Sequence, residues 1–317
     1  MLSISKKKLK IIIASVSAVV IGAFAYFYFI KQTPVDTIKS IPIGDVSAPP
    51  EYAFHIFGDP EVPIQKILGI TVANNLVYAT DTDAGMVHVF DKNGKVVNRF
   101  GKEGTQKLMH PYGITNNNGT LYVGDGGIAK ILMYDLDGNY IGEFKAEERV
   151  SIPSQMVIKN DRLYAADLAT KKVYVFDLQG KLVMSFGGEG EEPGQFLFPH
   201  GIAVNDDGQI YIADSGNNLV SIIDQEGKFI DYVKGEDGTP MEIGTPRGLS
   251  FDAKGNLYVV AGIENMVYTF NPDGEFLFTF NELEEGVTLG LPSGISIDGN
   301  YILLSETESS RIAVYKY

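Results

Sequence analysis

Acidic side chains recur along this chain at one position of a repeated pattern, and converging carboxylates could hold a cation. At spacings of 42 to 47 residues the position holds Asp81, Asp125, Asp167, Asp214, Ala261 and Glu306. Calcium takes six to eight oxygen ligands, which such a ring could supply in part. An Asp at a strand end can instead accept hydrogen bonds from backbone N–H groups of the following turn. Because Ala261 interrupts the ring, we expect the structural role and keep the metal candidates Asp125, Asp167, Asp214, Glu306 and His200 as an alternative.

A second recurring position, between Pro and Gly in most repeats, differs from one repeat to the next. It holds Leu68, Tyr112, Ser154, His200, Arg247 and Ser293. A residue type that is the same in nearly every repeat is expected to stabilise the repeated structure, whereas residues that vary can bind a ligand. An aromatic ring, an imidazole and a fixed cation could together hold an anionic or aromatic group. We predict a ligand site formed by Tyr112, Ser154, His200, Arg247 and Ser293, with packing and solvation as the alternative role for these side chains.

The elements that carry both positions belong to a repeat of about 45 residues, clearest at 199–230 as PHGIAVNDDGQIYIADSGNNLVSIIDQEGKFI. Six such repeats in a β-rich sequence indicate propeller blades. In the fourth repeat, apolar runs separated by turn residues predict strands at 201–204, 209–213, 219–224 and 229–233. The sequence therefore predicts an all-β, six-bladed β-propeller with four-stranded antiparallel blades.

The sixth repeat lacks an outer strand, because the chain ends at Tyr317, just after a third strand predicted at 311–315. The segment 52–58, YAFHIFG, matches the outer-strand endings VVNRFG and LVMSFG of other repeats. We predict that it pairs with the last blade and closes the ring, since closure removes strand edges that would promote aggregation.

The N-terminal part of the sequence differs in composition from the rest. Residues 11–30, IIIASVSAVVIGAFAYFYFI, contain no charged side chain, and four lysines precede them. Twenty helical residues span about 30 Å, which is the hydrocarbon thickness of a bilayer. We predict a cytoplasmic basic tail and transmembrane signal anchor at 1–31, an extended linker at 32–50 and the propeller at 51–317. The positive-inside rule then gives a single-pass cell-membrane protein with a cytoplasmic N-terminus and an extracytoplasmic propeller.

The charge and cysteine content limit the partners. Beyond residue 31 the chain carries 21 basic and 40 acidic residues, a net charge of −19, and the whole chain has no cysteine. Such a surface repels phosphates, so we expect no nucleic-acid partner. An extracytoplasmic domain without disulfides must be held together by its apolar core.

The elements P-x-G-[IL], [IL]-Y-[VI]-x-D and the D-G turns resemble the NHL repeat family of six-bladed β-propellers, over 52–317. The joining stretch at 186–201, FGGEGEEPGQFLFPHG, is also typical of that family. The resemblance implies that both recurring positions face the central channel. It does not imply one function, because binding platforms, RNA readers, lyases and lactonases share such propellers.

Two classes of function remain open. Peptidyl-hydroxyglycine lyases of this family hold zinc with histidines that directly follow Pro, in P-H-x positions on three blades. Only His200 occupies such a position here. A calcium-dependent lactonase would need the carboxylates to converge. We therefore predict no cofactor, with Ca or Zn as the alternative. The leading hypothesis is a scaffold or accessory subunit that binds a protein, peptide or cell-surface ligand; the alternative is a divalent-metal-dependent lyase or lactonase-type hydrolase with its site in the channel.

Overall fold

Six antiparallel sheets of four strands form a ring. The computed structural model describes residues 48–104, 106–284 and 286–317, and no α-helix occurs among them. Each innermost strand contacts the innermost strand of the next sheet, and the last contacts the first. The predicted all-β, six-bladed propeller with four-stranded blades is therefore confirmed.

In blades 1 to 5, four consecutive strands pair from the channel outwards, and blade 6 takes its outermost strand from the start of the described chain. The first strand of the described chain is β1 (Glu51–Phe57). Blades 1 to 3 comprise β2 (Ile67–Ala73), β3 (Leu76–Asp81), β4 (Met86–Phe90), β5 (Val96–Phe100); β6 (Pro111–Asn117), β7 (Thr120–Asp125), β8 (Lys130–Asp135), β9 (Tyr140–Glu143); β10 (Pro153–Lys159), β11 (Arg162–Asp167), β12 (Lys172–Asp177), β13 (Leu182–Gly187). Blades 4 to 6 comprise β14 (Pro199–Val204), β15 (Ile210–Asp214), β16 (Leu219–Ile223), β17 (Phe229–Tyr232); β18 (Pro246–Phe251), β19 (Leu257–Ala261), β20 (Met266–Phe270), β21 (Phe276–Phe280); β22 (Pro292–Asp298), β23 (Tyr301–Glu306), β24 (Arg311–Lys316).

The strands of blade 4 agree with the sequence prediction to within two residues. The turn between its third and fourth strands shows why the pattern was readable. Asp224 Oδ1 accepts hydrogen bonds from the backbone N–H groups of Glu226 and Lys228, and Gly227 adopts φ 83°. Glycine supplies this left-handed conformation at no steric cost, so an Asp or Asn followed three residues later by Gly marks these hairpins.

The N-terminal strand closes the ring as predicted. Strand β1 pairs antiparallel with β24, and the register runs from Glu51 opposite Lys316 to Phe57 opposite Arg311. The sixth sheet thus has the order β1, β24, β23, β22. Because its first and last strands come from opposite ends of the propeller sequence, this blade holds the ring together without a covalent link.

The core of the protein lies between the blades. Six clusters of buried residues each join the facing sides of two neighbouring blades. Two buried tyrosines of the repeat, Tyr78 and Tyr258, contribute to these clusters, and their hydroxyls have hydrogen-bond partners. Tyr78 donates to the carbonyl oxygen of Leu136 at 3.0 Å, and the hydroxyls of Tyr258 and Tyr317 lie 2.9 Å apart. These contacts join blade 1 to blade 2 and blade 5 to the C-terminus, so the tyrosines both fill the core and link blades.

The predicted transmembrane anchor at 1–31 and residues 32–47 of the predicted linker lie outside the described residues. Within the part that is described, no helix has the length and apolar character needed to cross a membrane.

Candidate functional site

The six varied side chains predicted from the repeat lie around one cavity of about 210 Å³ at the channel. Each is the second residue of an innermost strand. The residues that the structure brings together in this way are Leu68, Tyr112, Ser154, His200, Arg247 and Ser293. Their binding of a ligand stays a prediction, whereas their position at one cavity is a property of the fold.

Glycines allow the innermost strands to approach closely enough to form this cavity. A Cβ atom at Gly201 would overlap the carbonyl oxygen of Arg247 in the next blade, and one at Gly294 would overlap that of Leu68. A Cβ atom would likewise overlap the backbone carbonyl oxygen of the next blade's varied residue at Gly69, Gly113 and Gly248. The glycine after the varied residue is therefore required by contact between blades, and it keeps the channel narrow.

Blade 3 departs from this rule, because Gln155 stands where the other blades have glycine. Its Nε2 donates to the carbonyl oxygen of Leu249 at 2.8 Å. Its Oε1 accepts from the backbone N–H groups of Ile202 at 3.2 Å and Leu249 at 3.1 Å. The side chain thus lies across the channel from blade 3 to blades 4 and 5. Sequence reasoning missed this residue, although the missing glycine was a readable signal.

Gln155 also separates the cavity from a wider one further along the channel. The second cavity, of about 760 Å³, is lined by later residues of the innermost strands and by the hairpins of blades 4 and 5. Gln155 lines both cavities, together with Ile70, Ile114 and Ile295. These four side chains therefore form the floor of the smaller cavity.

Two large side chains lie over glycines of their own blades. The ring of Tyr112 would touch a Cβ at Gly126, with Cε2 at 3.0 Å, and Arg247 would touch one at Gly262, with Nε at 3.1 Å. Both glycines directly follow the recurring acidic position. In blades 2 and 5, a large side chain at the cavity thus occurs together with a glycine after the recurring acidic position, which leaves room for that side chain.

His200 is a neutral imidazole at neutral pH. Its Nδ1 lies 2.6 Å from the hydroxyl oxygen of Ser215, the residue that follows the acid of its blade. Burial lowers the pKa of His200 to about 4, and the nearby cations of Arg247 and Lys171 act in the same direction. A hydrogen bond with the Phe198 backbone opposes this shift only in part. Such an imidazole can donate or accept a hydrogen bond but does not add positive charge.

Ser154 is already engaged within the fold. Its side chain is 7% exposed, and the hydroxyl lies 3.0 Å from the carbonyl oxygen of Pro199 and 3.2 Å from that of Ala166. It therefore links blade 3 to blade 4. Of the predicted ligand residues, Tyr112, His200 and Arg247 have the side chains best suited to contact a ligand.

The acidic series does not line the cavity, so the expectation that both recurring positions face the channel is wrong for this one. The carboxylates are fully buried and accept backbone N–H groups of the segment that precedes each innermost strand. Asp214 accepts from Leu197 and Phe198 at 3.0 and 2.7 Å, and also from Gly216. The members that make such bonds are Asp81, Asp125, Asp167, Asp214 and Glu306. Each carboxylate thus attaches its second strand to the start of the blade.

The metal candidates do not form a binding site in the described residues. No group of three or more His, Asp or Glu side chains is arranged there to hold a metal ion. The oxygens of Asp125, Asp167 and Asp214 are taken by hydrogen bonds within the fold. Glu306 binds Arg311 Nε at 2.6 Å and His55 Nε2 at 3.1 Å. These residues therefore do not fit a Ca or Zn centre in the channel.

Comparison with known proteins supports the fold. The family model of the NHL repeat matches residues 196–223, and a model described as a 6-bladed beta-propeller matches residues 59–151. No curated protein sequence matches the chain significantly.

Three solved structures of similar fold are lyases by description. A catalytically inactive virginiamycin B lyase from Staphylococcus aureus with quinupristin aligns at 18% identity and TM-score 0.56, over 80% of this chain and 81% of that one. A streptogramin B lyase aligns at 14% and 0.58, over 83% and 96%. Selenomethionine-substituted virginiamycin B lyase from Staphylococcus aureus aligns at 18% and 0.56, over 80% and 95%. At these identities the likeness concerns the fold, and the chain is a six-bladed β-propeller that carries an NHL repeat.

Proposed function

We propose that this protein is a membrane-anchored, extracytoplasmic propeller that binds a ligand or partner at the small cavity, as a scaffold or accessory subunit. One observation carries the proposal: the varied residues of the repeat share one cavity, while the uniform acids are buried in structural hydrogen bonds. Residues that differ from blade to blade are thus placed together on a rigid frame. Rigid placement lowers the entropy lost on binding.

The size of the cavity favours a small ligand or the end of a larger one. Pockets for drug-sized ligands occupy about 300–1,000 Å³, whereas this cavity has about 210 Å³. The side chains of Tyr112 and Arg247 rest against Gly126 and Gly262, which limits their movement. A partner protein would therefore insert a terminus or a single side chain here.

The membrane location in this proposal comes from the sequence of residues 1–31, with its lysines followed by an uninterrupted apolar run. The proposed partner is a protein, a peptide or a cell-surface ligand. Nucleic acid is not among the proposed partners, because the net charge of the whole chain is −14 and phosphates are repelled by such a surface.

We expect Tyr112→Ala to weaken partner recovery, because the ring forms part of the cavity wall. The full-length protein in its own membrane would be cross-linked, purified, and the yield of the co-purified partner compared with wild type. Tyr140→Ala is the matched control, since Tyr140 is 39% exposed on an outer strand. The melting temperature of both variants should stay close to that of wild type. Equal recovery of the same partner by wild type and Tyr112→Ala would refute the cavity as the site.

A lyase or lactonase-type enzyme is the second candidate. It is supported by the neutral imidazole of His200 at the cavity, which could accept a proton, and by the lyase descriptions of proteins with this fold. The metal-dependent form of this hypothesis fits less well, because the carboxylates are occupied. Incubation with quinupristin, followed by mass spectrometry, separates the two candidates: turnover lost in His200→Ala favours the enzyme, and unchanged substrate favours the binding protein.

A further inference from the structure

We infer that the cavity binds a compact anion of the carboxylate or phosphate class, held by the guanidinium of Arg247. This inference rests on the proposed function and names the chemistry of its ligand. It follows from four features of the described residues: the charge of the lining, the lack of an acidic partner for Arg247, the placement of the guanidinium, and the neighbours that complete the site.

The lining is cationic in an otherwise acidic protein. The chain has 40 acidic and 26 basic residues, yet the charged residues of the cavity wall are Lys66 and Arg247, and the wall includes no Asp or Glu. A cleft lined by one sign of charge focuses its field on the space within it. Anions are therefore attracted to this cavity against the overall charge of the molecule.

Arg247 has no acidic partner among the described residues. In blade 5 the recurring acidic position is occupied by Ala261. Glu264 takes over part of the acid's role, but its oxygens accept from the Gly244 N–H and the Tyr268 hydroxyl. Among the described residues Arg247 forms no ion pair. Arg311, by contrast, is paired with Glu306 at 2.6 Å.

The guanidinium of Arg247 is held in place, but its hydrogen-bonding capacity is not fully used. Its Nε is buried and has no hydrogen-bond partner within the described structure, and burial lowers the pKa of Arg247. A buried N–H without a partner is unfavourable, because no hydrogen bond offsets its loss of water. Arginine remains charged under all ordinary conditions and presents parallel N–H groups that match two oxygens of one carboxylate or phosphate. The stem lies over Gly262, with Cδ 3.2 Å from the position of an added Cβ.

The neighbours of Arg247 suit an anion as well. Neutral His200 can donate a hydrogen bond, and Lys66 has no ion pair among the described residues. The cavity volume of about 210 Å³, with Gln155 in its floor, admits a compact group and stops it from passing through the channel. A small acid or the anionic end of a larger ligand meets these limits.

The test is a titration of the full-length protein with inorganic phosphate and, separately, with succinate at constant ionic strength. The chain has four histidines, so labelling histidine with ¹³C gives four imidazole signals, of which His200 is assigned by His200→Gln. We expect the His200 signal to move on addition of at least one of the two anions, and the pKa of His200 to rise. The anion that binds more tightly, phosphate or succinate, shows whether the site prefers a phosphate or a carboxylate group.

Three variants make the test specific to the guanidinium. Arg247→Gln should reduce the anion affinity at least tenfold, and Arg247→Lys should restore only part of it, because lysine cannot form the paired hydrogen bonds. Gly262→Ala keeps the charge but displaces the guanidinium, so it should also weaken binding. Arg149→Gln, which removes an exposed arginine, should bind as wild type does.

Two results would overturn the inference: no response of His200 to either anion, or equal affinity in wild type and Arg247→Gln. Failure here is distinguishable from failure of the proposed function. If Tyr112→Ala still reduces partner recovery while neither anion binds, the cavity is a binding site for a neutral or cationic group. If Tyr112→Ala has no effect but phosphate or succinate binds through Arg247, the anion site stands and the scaffold function is wrong.

Discussion

At the scale of single residues, the burial of His200 couples the stability of the fold to pH. The folded pKa of about 4 lies below the value of about 6.5 expected in the unfolded chain. Between these values the unfolded state binds more protons, so the free energy of unfolding falls as the pH is lowered from about 6.5 to 4. Below the folded pKa both states are protonated, and the dependence levels off.

We expect His200→Gln, which cannot be protonated, to reduce the loss of stability between pH 7 and pH 4.5. Urea unfolding at several pH values gives the measurement, and His110→Gln, at an exposed histidine, is the matched control. The pKa of His55 is also lowered by burial and by Arg311. Its contribution to the pH dependence of the free energy of unfolding therefore has the same sign in wild type and in both variants. An identical pH dependence in wild type and His200→Gln would show that His200 is not desolvated in solution.

At the scale of elements, the closure by β1 rests on one buried side chain more than on any other residue of the strand. Ile56 is 1% exposed and packs in the cluster between blades 6 and 1, with Ile67, Phe90 and Ile312 among its members. Its neighbour Phe57 is 58% exposed. The alternation follows from the two faces of a strand, of which only one meets the core.

Ile56→Ala is expected to lower the free energy of unfolding by about 2–5 kcal/mol, the range for truncating a buried aliphatic side chain. Phe57→Ala, in the same strand but on the exposed face, should change it by less than about 1 kcal/mol. Chemical denaturation of both variants provides the comparison. Equal, small effects would mean that β1 contributes little to closing the ring.

At the scale of the whole molecule, Gln155 connects blades that are distant in sequence. It bonds to Ile202 and Leu249, the latter 94 residues away. Its side chain therefore acts as a strut across the centre of the ring and forms part of the wall between the two cavities.

Gln155→Gly would restore the glycine found in the other five blades and should join the cavities of about 210 and 760 Å³ into one continuous channel, visible in a crystal structure. We expect the free energy of unfolding to fall by about 1–3 kcal/mol, because two buried N–H groups lose their acceptor. Gln155→Leu keeps most of the volume and loses the same bonds, so it should destabilise without opening the channel. Wild-type stability in both variants would contradict the role of a strut.

Much of this architecture was readable in the sequence because it depends on local signals. The strands of blade 4 follow from apolar runs, the hairpin at Asp224–Gly227 follows from turn chemistry, and the closing strand at 51–57 follows from its likeness to other outer strands. The varied series, from Leu68 to Ser293, was also recognised as one set, because a repeat places equivalent residues at equivalent points of a ring.

What the sequence determined by itself is the blade, and what the tertiary structure decided is where each side chain of the blade is directed. Pattern alone could not show that the carboxylate of Asp214 turns to the N–H groups of Leu197 and Phe198 instead of the channel. Nor could it show that Gln155 crosses to Leu249, or that Arg247 is left without an acid. These facts depend on contacts between blades, and the distances between separate blades exist only once the ring has closed.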